Sequence, residues 1–356
     1  MRDTLCLESA RPDQLIFETP YLQIAERPNC VRPRAWPLVY AFGVGMPMIL
    51  VCGEALIDFL PVKTAEGHDG YRPVVGGSPF NTAVGIGRLD GDVGFCAALS
   101  TDFFGEQLLA ALARASVSRT YVARSTHSSM LAFVSVGDGE PEYTFVDEAS
   151  SNRLFSPERD APPLGPEVSM IWTGSVALIN DPIASAYERL YSDNKGLRVL
   201  GMDPNARPAV VSDATGYRAR MTRMTEAADI IKVSKADLLW LYPGMDLRDW
   251  ASGLVDRGAH LVVLTDGENG AEGFGKGFAI KTPVATVGKV ADTVGAGDSY
   301  SSGLLTFLQR HNAVSVGALD NIDEKLTREA MDYAARAAAI TVSREGTDPP
   351  WNYEMA

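Results

Sequence analysis

Apolar residues recur along the chain in short, nearly continuous runs: Ile49 to Gly53, Val93 to Ala98, Met170 to Gly174, Val199 to Asp203, Ile230 to Val233 and Leu261 to Thr265. Runs of this length, rich in Val, Ile and Leu, are the pattern of strands buried on both faces. Between them, apolar positions return every three to four residues in Asn81 to Arg88, Gly105 to Ala115, Ile183 to Tyr191, Leu247 to Arg257 and Leu304 to Arg310. That period predicts helices. Strands alternating with helices predict an α/β fold, a mostly parallel sheet covered on both faces.

One region keeps a different rhythm. Leu131 to Val136 and Tyr143 to Val146 alternate polar and apolar positions on either side of Gly137-Asp138-Gly139-Glu140, which predicts a β-hairpin. With the segment after the first strand it predicts a small strand-rich lid, drawn from about residues 59–75 and 119–147.

The first 45 residues show neither period. They carry five arginines (Arg2, Arg11, Arg27, Arg32, Arg34), five acids (Asp3, Glu8, Asp13, Glu18, Glu26) and prolines at 12, 20, 28, 33 and 37. Residues 1–46 are therefore expected to be a poorly ordered extension, and 47–356 a single domain. The charge-free stretch between Arg34 and Glu54 is a poor membrane span, because Pro37 and Pro47 interrupt it, Gly43 and Gly45 weaken it, and its end is the first strand.

Composition narrows the partners. The 356 residues are 46% hydrophobic and 22% charged, with a mean hydropathy of -0.02, as in globular proteins. Lys plus Arg number 32 against 45 Asp plus Glu, giving a net charge of -13, which speaks against nucleic acid and anionic membrane as partners. A phosphate ligand must then be held locally, by glycine-rich backbone, a helix N-terminus, a lysine or a metal ion. Cys6, Cys30, Cys52 and Cys96 form no CxxC pair, so neither a zinc site nor a disulfide framework is expected, and a reducing cytoplasm fits.

Chemistry concentrates in Asp292-Thr293-Val294-Gly295-Ala296-Gly297-Asp298, which precedes a helical run. Small residues at a helix start let backbone N–H groups close on an anion, with the helix dipole adding positive charge. Asp298 then stands where a base would take a proton from an attacking hydroxyl, or else it caps the helix. Asp58, after the first strand, can accept two hydroxyl hydrogen bonds. Asn81 can donate and accept, or cap the helix that follows, and Gly77 admits a ring close to backbone.

DTVGAGD resembles the second signature of the ribokinase-like carbohydrate kinases, the phosphofructokinase-B family, and Gly76 to Ala83, GGSPFNTA, resembles the first. The similarity spans about Ile49 to Trp351. It implies a three-layer α/β/α sandwich whose β lid closes over a sugar. It implies further that Asp58, Gly77, Asn81 and Asp292 hold the sugar, that Gly295, Ala296 and Gly297 stabilise developing charge, and that Asp298 is the base. Leu264 to Gly270 is similar to the family's TxGxxG element, placing Thr265, Gly267 and Gly270 at ATP. Lys232 to Asp237, KVSKAD, is similar to an element tied to phosphate and Mg²⁺. There Lys232 and Ser234 would meet the nucleotide and Asp237, one methylene shorter than the family's usual Glu, would reach Mg²⁺ through water. The C-terminal helix, Arg328 to Ser343, and the loop after it match the region that holds a monovalent cation such as K⁺, at positions Asp292, Val294, Thr341, Arg344 and Gly346.

Within the family, VCGEALIDFLP, WTGSVALI (Trp172 to Ile179), DPNARP (Asp203 to Pro208) and SREGTDPPW look most like fructokinases. Arg207 could face phosphate or pair with surface acids. The resemblance implies ATP-dependent phosphorylation of a primary hydroxyl, with D-fructose the first expectation and a homodimer through the lid. A 2-keto-3-deoxygluconate, other hexose, pentose or nucleoside kinase, and a non-catalytic sugar-binding relative, are the alternatives. Fructokinases usually carry an aromatic and an Arg after the lid's second strand, whereas this chain reads Tyr143-Thr144-Phe145-Val146-Asp147; Phe133 and Phe145 are candidates to cover the sugar. A dinucleotide-dependent dehydrogenase is set aside, because Gly43 and Gly45 precede the first strand instead of following it as GxGxxG.

Overall fold

The computed structural model describes residues 46–135, 142–286 and 288–356. Apart from Met46, the extension expected over 1–46 lies outside the described residues, as does the turn of the expected hairpin. In chain order the elements are β1 (Met48–Cys52), β2 (Leu56–Lys63), β3 (Asp69–Gly76), α1 (Ser78–Arg88), β4 (Val93–Ser100), α2 (Phe103–Arg114), β5 (Val122–Ser125), β6 (Met130–Ser135) and β7 (Glu142–Val146). There follow α3 (Pro157–Asp160), β8 (Val168–Gly174), α4 (Ile183–Asp193), β9 (Val199–Asp203), α5 (Ala214–Ala227), β10 (Ile230–Ser234), α6 (Lys235–Leu241), α7 (Leu247–Asp256) and β11 (Leu261–Thr265). The chain ends with β12 (Ala271–Gly275), β13 (Phe278–Thr282), α8 (Ala296–Arg310) and α9 (Glu324–Val342).

Nine strands form one sheet in the order β13-β12-β11-β10-β9-β8-β1-β4-β5. Every pair is parallel except β11–β12 and β12–β13. The strands read as continuous apolar runs because both faces are covered. In β1, Ile49 and Val51 enter one core with Phe80, Ile86, Leu304 and Ala334, while Leu50 and Cys52 enter the other with Tyr187, Met221, Leu238 and Trp250. Thus α1, α2, α8 and α9 cover one face, and α4 to α7 the other. An edge-to-face contact between Phe80 and Phe95, centroids 5.9 Å apart, seats α1 on β4.

The lid is a four-stranded sheet in the order β3-β2-β6-β7. Residues 119–129, counted with the lid in the sequence reading, do not belong to it: β5 pairs with β4 at the edge of the main sheet. Four alternating residues look alike in either sheet, and register with a distant strand decides. Pairing also sorts the lid's faces, since Asp58 opposes Ala132 and Ala132 opposes Phe145, whereas Phe59 opposes Phe133. Asp58 and Phe145 therefore share a face. Phe133 lies on the other, stacked on Phe59 at 4.7 Å, so of the two candidate cover residues only Phe145 shares the Asp58 face. Among the described residues no helix is long and apolar enough to cross a membrane.

Candidate active site

The sheet order reverses between β8 and β1, and loops from the carboxyl ends of β1, β8, β9, β10 and β11 open at that edge, where open α/β sheets bind ligands. The first turns of α1 and α8 meet there. Gly77 precedes α1 with φ 106°, and a Cβ on it would stand 2.7 Å from the carbonyl oxygen of Glu54. Only glycine passes so close in that conformation. Pro79 starts the helix at a position that has no intrahelical donor to lose. Ser78 and Asn81 then project from one turn, and Asn81 is not the helix cap.

Both reach Asp298 in the first turn of α8. Ser78 Oγ donates to Asp298 Oδ1 at 2.6 Å and Asn81 Nδ2 to Oδ2 at 2.9 Å. Asn205, after β9, donates from Nδ2 to Ser78 Oγ at 2.6 Å. Burial pushes the Asp298 carboxyl above the usual range, and the bonds from Ser78 and Asn81 pull it back. The result is a buried carboxylate held by donors on both oxygens, the state a general base needs.

Asp58 lies on the lid face that looks toward this point. Burial raises it to about 6; the Arg207 charge lowers it and Asp298 adds to the rise. Tyr143 is the second lid group there: burial and the nearby Asp58 carboxylate raise its hydroxyl, and Arg207 lowers it. Beneath them Glu54 is buried, accepting from Ser78 N at 3.3 Å and Ala177 N at 3.1 Å. Burial raises Glu54 to about 7 against hydrogen bonds from Ser175, its own backbone and Ala177 and against the Arg207 charge.

The opposite side of Asp298 is the anion hole. Gly295 adopts φ 77° and α8 begins at Ala296, earlier than its apolar period, so that Gly295-Ala296-Gly297 opens the helix. A Cβ on Gly297 would stand 3.0 Å from Lys232 Nζ. Lys232 is buried on β10 and pairs with Asp203 of β9 at 2.8 Å. Burial works against its charge and Asp203 outweighs it, so the ammonium is held above its ordinary value. Ser234 caps α6 by accepting from Asp237 N at 3.0 Å, and its hydroxyl donates to Asp237 Oδ2 at 2.6 Å.

Beside the hole, a cavity of about 530 Å³ is lined by Thr265, Gly267 and Gly270 on one wall and Gly297, Tyr300 and Ala338 on another. Its wall is largely apolar, and Ala296 and Gly297 of the α8 N-terminus stand in its lining. Asp292 ties two loops together, accepting from Val294 N and Gly346 N, each at 3.0 Å. Thr341 is buried, and its hydroxyl donates to Ser299 at 2.7 Å; Arg344 directs its side chain to Asp348 and Glu354. Among the described residues no cluster of three or more His, Cys, Asp or Glu forms a metal cage.

Asp58, Gly77 and Asn81, the turn Gly295 to Gly297 and Asp298 thus come together; of the residues expected at the nucleotide, Thr265, Gly267 and Gly270 line the adjoining cavity, whereas Lys232 and Ser234 are not in its lining. Asp292, expected at the sugar, spends both carboxylate oxygens on backbone. Ser78 and Glu54 went unread as site residues. Ser78 lies inside the glycine signature, and a lone acid after Gly53 gives no local sign that a strand end buries it.

The model of the pfkB family of carbohydrate kinases matches residues 46–353. A fructokinase of Rhizobium leguminosarum bv. trifolii is 37% identical over 285 residues, 80% of this chain and 87% of that protein. Fructokinase-2 of Oryza sativa subsp. japonica is 31% identical over 85% of this chain and 90% of its own. Among solved structures, the fructokinase of Xylella fastidiosa with bound ATP superposes with a TM-score of 0.79 at 25% identity, covering 87% of this chain and 97% of that one. Two signatures meeting at one buried aspartate, on a sheet and lid of this topology, are accounted for together: the chain belongs to the pfkB family of carbohydrate kinases, phosphotransferases that act on an alcohol group.

Proposed function

We propose that the protein transfers the γ-phosphoryl group of ATP to the primary hydroxyl of D-fructose, giving fructose 6-phosphate. One observation carries the reading: Asp298, with a donor on each oxygen, stands between the lid carboxylate Asp58 and the helix start at Gly295-Ala296-Gly297. Asp58 and Asn81 hold sugar hydroxyls over Gly77. Asp298 accepts the proton of the hydroxyl as it attacks phosphorus, and the α8 N-terminus with Lys232 faces the charge that develops on the phosphoryl oxygens. Tyr143 and Phe145 on the lid's inner face exclude water, which suppresses hydrolysis of ATP.

Mg²⁺ fits the donor chemistry here. Asp203 Oδ1 is buried with no partner, and with Asp237 it offers hard oxygens for an ion carried on the nucleotide. When bound, Mg²⁺ neutralises phosphate charge. K⁺ fits the loops joined by Asp292 Oδ2 and Gly346 N, near Thr341. The outer lid face carries Phe59, Phe133 and the half-exposed Tyr71, a patch suited to pairing with a second lid in a homodimer. Buried free cysteines Cys52 and Cys96 agree with a cytoplasmic setting.

The fructose assignment is supported by the 37% identical relative named above. A second reading, 2-keto-3-deoxygluconate, is favoured by one observation: the Arg207 charge acts on Asp58, supplying at the sugar site a cation that the lid lacks. A coupled ADP-release assay across fructose, glucose, ribose, 2-keto-3-deoxygluconate and adenosine separates the two. The proposal expects the highest kcat/KM with fructose and phosphate on the 6-oxygen. A preference for another substrate of the panel, or ADP release independent of sugar, refutes it.

A further inference from the structure

We propose that Arg207, Asn205 and Ser78 form a one-way hydrogen-bond chain that fixes Asp298 Oδ1 and leaves Oδ2 to receive the substrate's proton, making Ser78 and Asn205 positioning residues for phosphoryl transfer. The inference rests on the reading of Asp298 as the base and goes beyond it by assigning which oxygen works and what holds the other.

Direction follows from donor chemistry. A guanidinium only donates. Arg207 Nη1 donates to Asn205 Oδ1 and to the carbonyls of Asn205 and Ala206 at 3.2 and 3.1 Å. The amide oxygen of Asn205 is thereby turned to Arg207 and its NH₂ group to Ser78, whose Oγ accepts at 2.6 Å. The single hydroxyl hydrogen of Ser78 is then left for Asp298 Oδ1, at 2.6 Å. Asn205 Nδ2 approaches the same oxygen at 3.4 Å. Oδ1 therefore faces two donors, and Oδ2 faces Asn81 at 2.9 Å. The less engaged oxygen is the one with a lone pair for an incoming hydroxyl.

The chain is anchored at both ends. Ser78 is held through its backbone N–H by Glu54 Oε1 at 3.3 Å. Asn205 has φ 41°, a left-handed conformation that Asn and Asp adopt more readily than most residues. A donor bond to the charged form of a buried carboxyl favours ionisation, so loss of the chain raises the proton affinity of the base. The other charges acting at this point are Asp58 from β2, Asp203 from β9, Lys232 from β10 and Arg207 from the loop after β9. None is altered by a change at Ser78.

The test measures kcat, both KM values and the pH dependence of kcat for Ser78→Ala, Ser78→Thr and Asn205→Asp in the full chain. Ser78→Ala is expected to lower kcat roughly 10- to 100-fold, with the KM for ATP within about twofold, and to move the acid limb to higher pH. Ser78→Thr keeps the hydroxyl and recovers most of the rate. Asn205→Asp keeps the shape and the tolerated φ but replaces the donor with an acceptor, and shifts the limb the same way. If Ser78→Ala does not fold, Asn205→Asp carries the test alone. A Ser78→Ala enzyme with unchanged kcat and pH limb, a Thr variant no better than Ala, or an unshifted Asn205→Asp limb overturns the inference. Asp298→Asn separates the two levels. Near-normal turnover there sinks the base assignment itself, whereas an inactive Asp298→Asn beside an unaffected Ser78→Ala sinks only the chain.

Discussion

Replacing Lys232 with Met probes the link between the buried charge pair and the nucleotide site. Lys232 Nζ and Asp203 Oδ2 are 2.8 Å apart, with side chains only 4% and 5% exposed. Asp203 has little else to turn to, since Oδ1 is buried without a partner and Ser301 Oγ reaches Oδ2 only at 3.4 Å. At an effective dielectric near 20 the gross attraction is about 6 kcal/mol, which desolvation of both groups offsets in part. Deleting one partner leaves the other charge buried and uncompensated, at a cost of about 3–5 kcal/mol. Met matches the length of the stem without its charge. Urea unfolding of the unliganded protein should show Lys232→Met destabilised by that amount, with Lys232→Met/Asp203→Asn recovering most of it because no lone charge stays buried. Since Nζ also faces Gly297, the KM for ATP should rise at least about tenfold while sugar affinity holds. A Lys232→Met protein within about 1 kcal/mol of the parent, or a double variant no more stable than the single, would refute the reasoning.

Three further outcomes follow from the same geometry. Gly77→Ala, which sets a methyl 2.7 Å from the Glu54 carbonyl at φ 106°, should destabilise by roughly 1–3 kcal/mol and raise the sugar KM; an unchanged melting temperature and KM would show that the loop yields. With Asp58 at about 6, kcat/KM for sugar should fall as pH drops through that value, because the protonated carboxyl loses acceptor capacity, and a profile flat from pH 8 to about 5 contradicts this. Glu54 stands at about 7 in the folded chain against about 4.3 unfolded, so the folded state keeps a proton that the unfolded chain releases. The stability it contributes is complete below about pH 4.3 and is lost as pH rises through about 7, by at most about 1.4 kcal/mol per pH unit. Glu54→Gln should flatten that slope, and equal slopes in both proteins would count against the assignment.

The sheet was legible because strands buried on both faces leave unbroken apolar runs, and β9 and β11 begin and end where those runs do. The start of α8 was not, since Ala296-Gly297-Asp298-Ser299 carries no apolar period, and the partner of Ser299, Thr341 of α9, lies 42 positions away. Alternation in the lid shows that two faces exist. Which face meets the sugar depends on register between Asp58 and Ala132, 74 residues later, and that register places Phe133 outside. Asp298 and its glycines stand together in seven residues and could be read directly. Ser78 and Asn205 could not, because their partners lie 220 and 127 positions away and no spacing rule joins them. Asn81 was assigned to the sugar from its motif, and its bond to Asp298 adds the base as a second partner.

The most direct test of phosphoryl transfer through Asp298 is single-turnover phosphorylation of fructose by Asp298→Asn beside the parent, with fructose binding followed by calorimetry. The substitution is isosteric and keeps an amide oxygen to accept from Ser78, while its NH₂ group replaces the oxygen that accepts from Asn81 and so removes the proton acceptor. The account predicts a rate lowered roughly 10²- to 10⁴-fold with fructose affinity within about threefold. Turnover near that of the parent would contradict it, as would fructose binding with no phosphorylation by either protein.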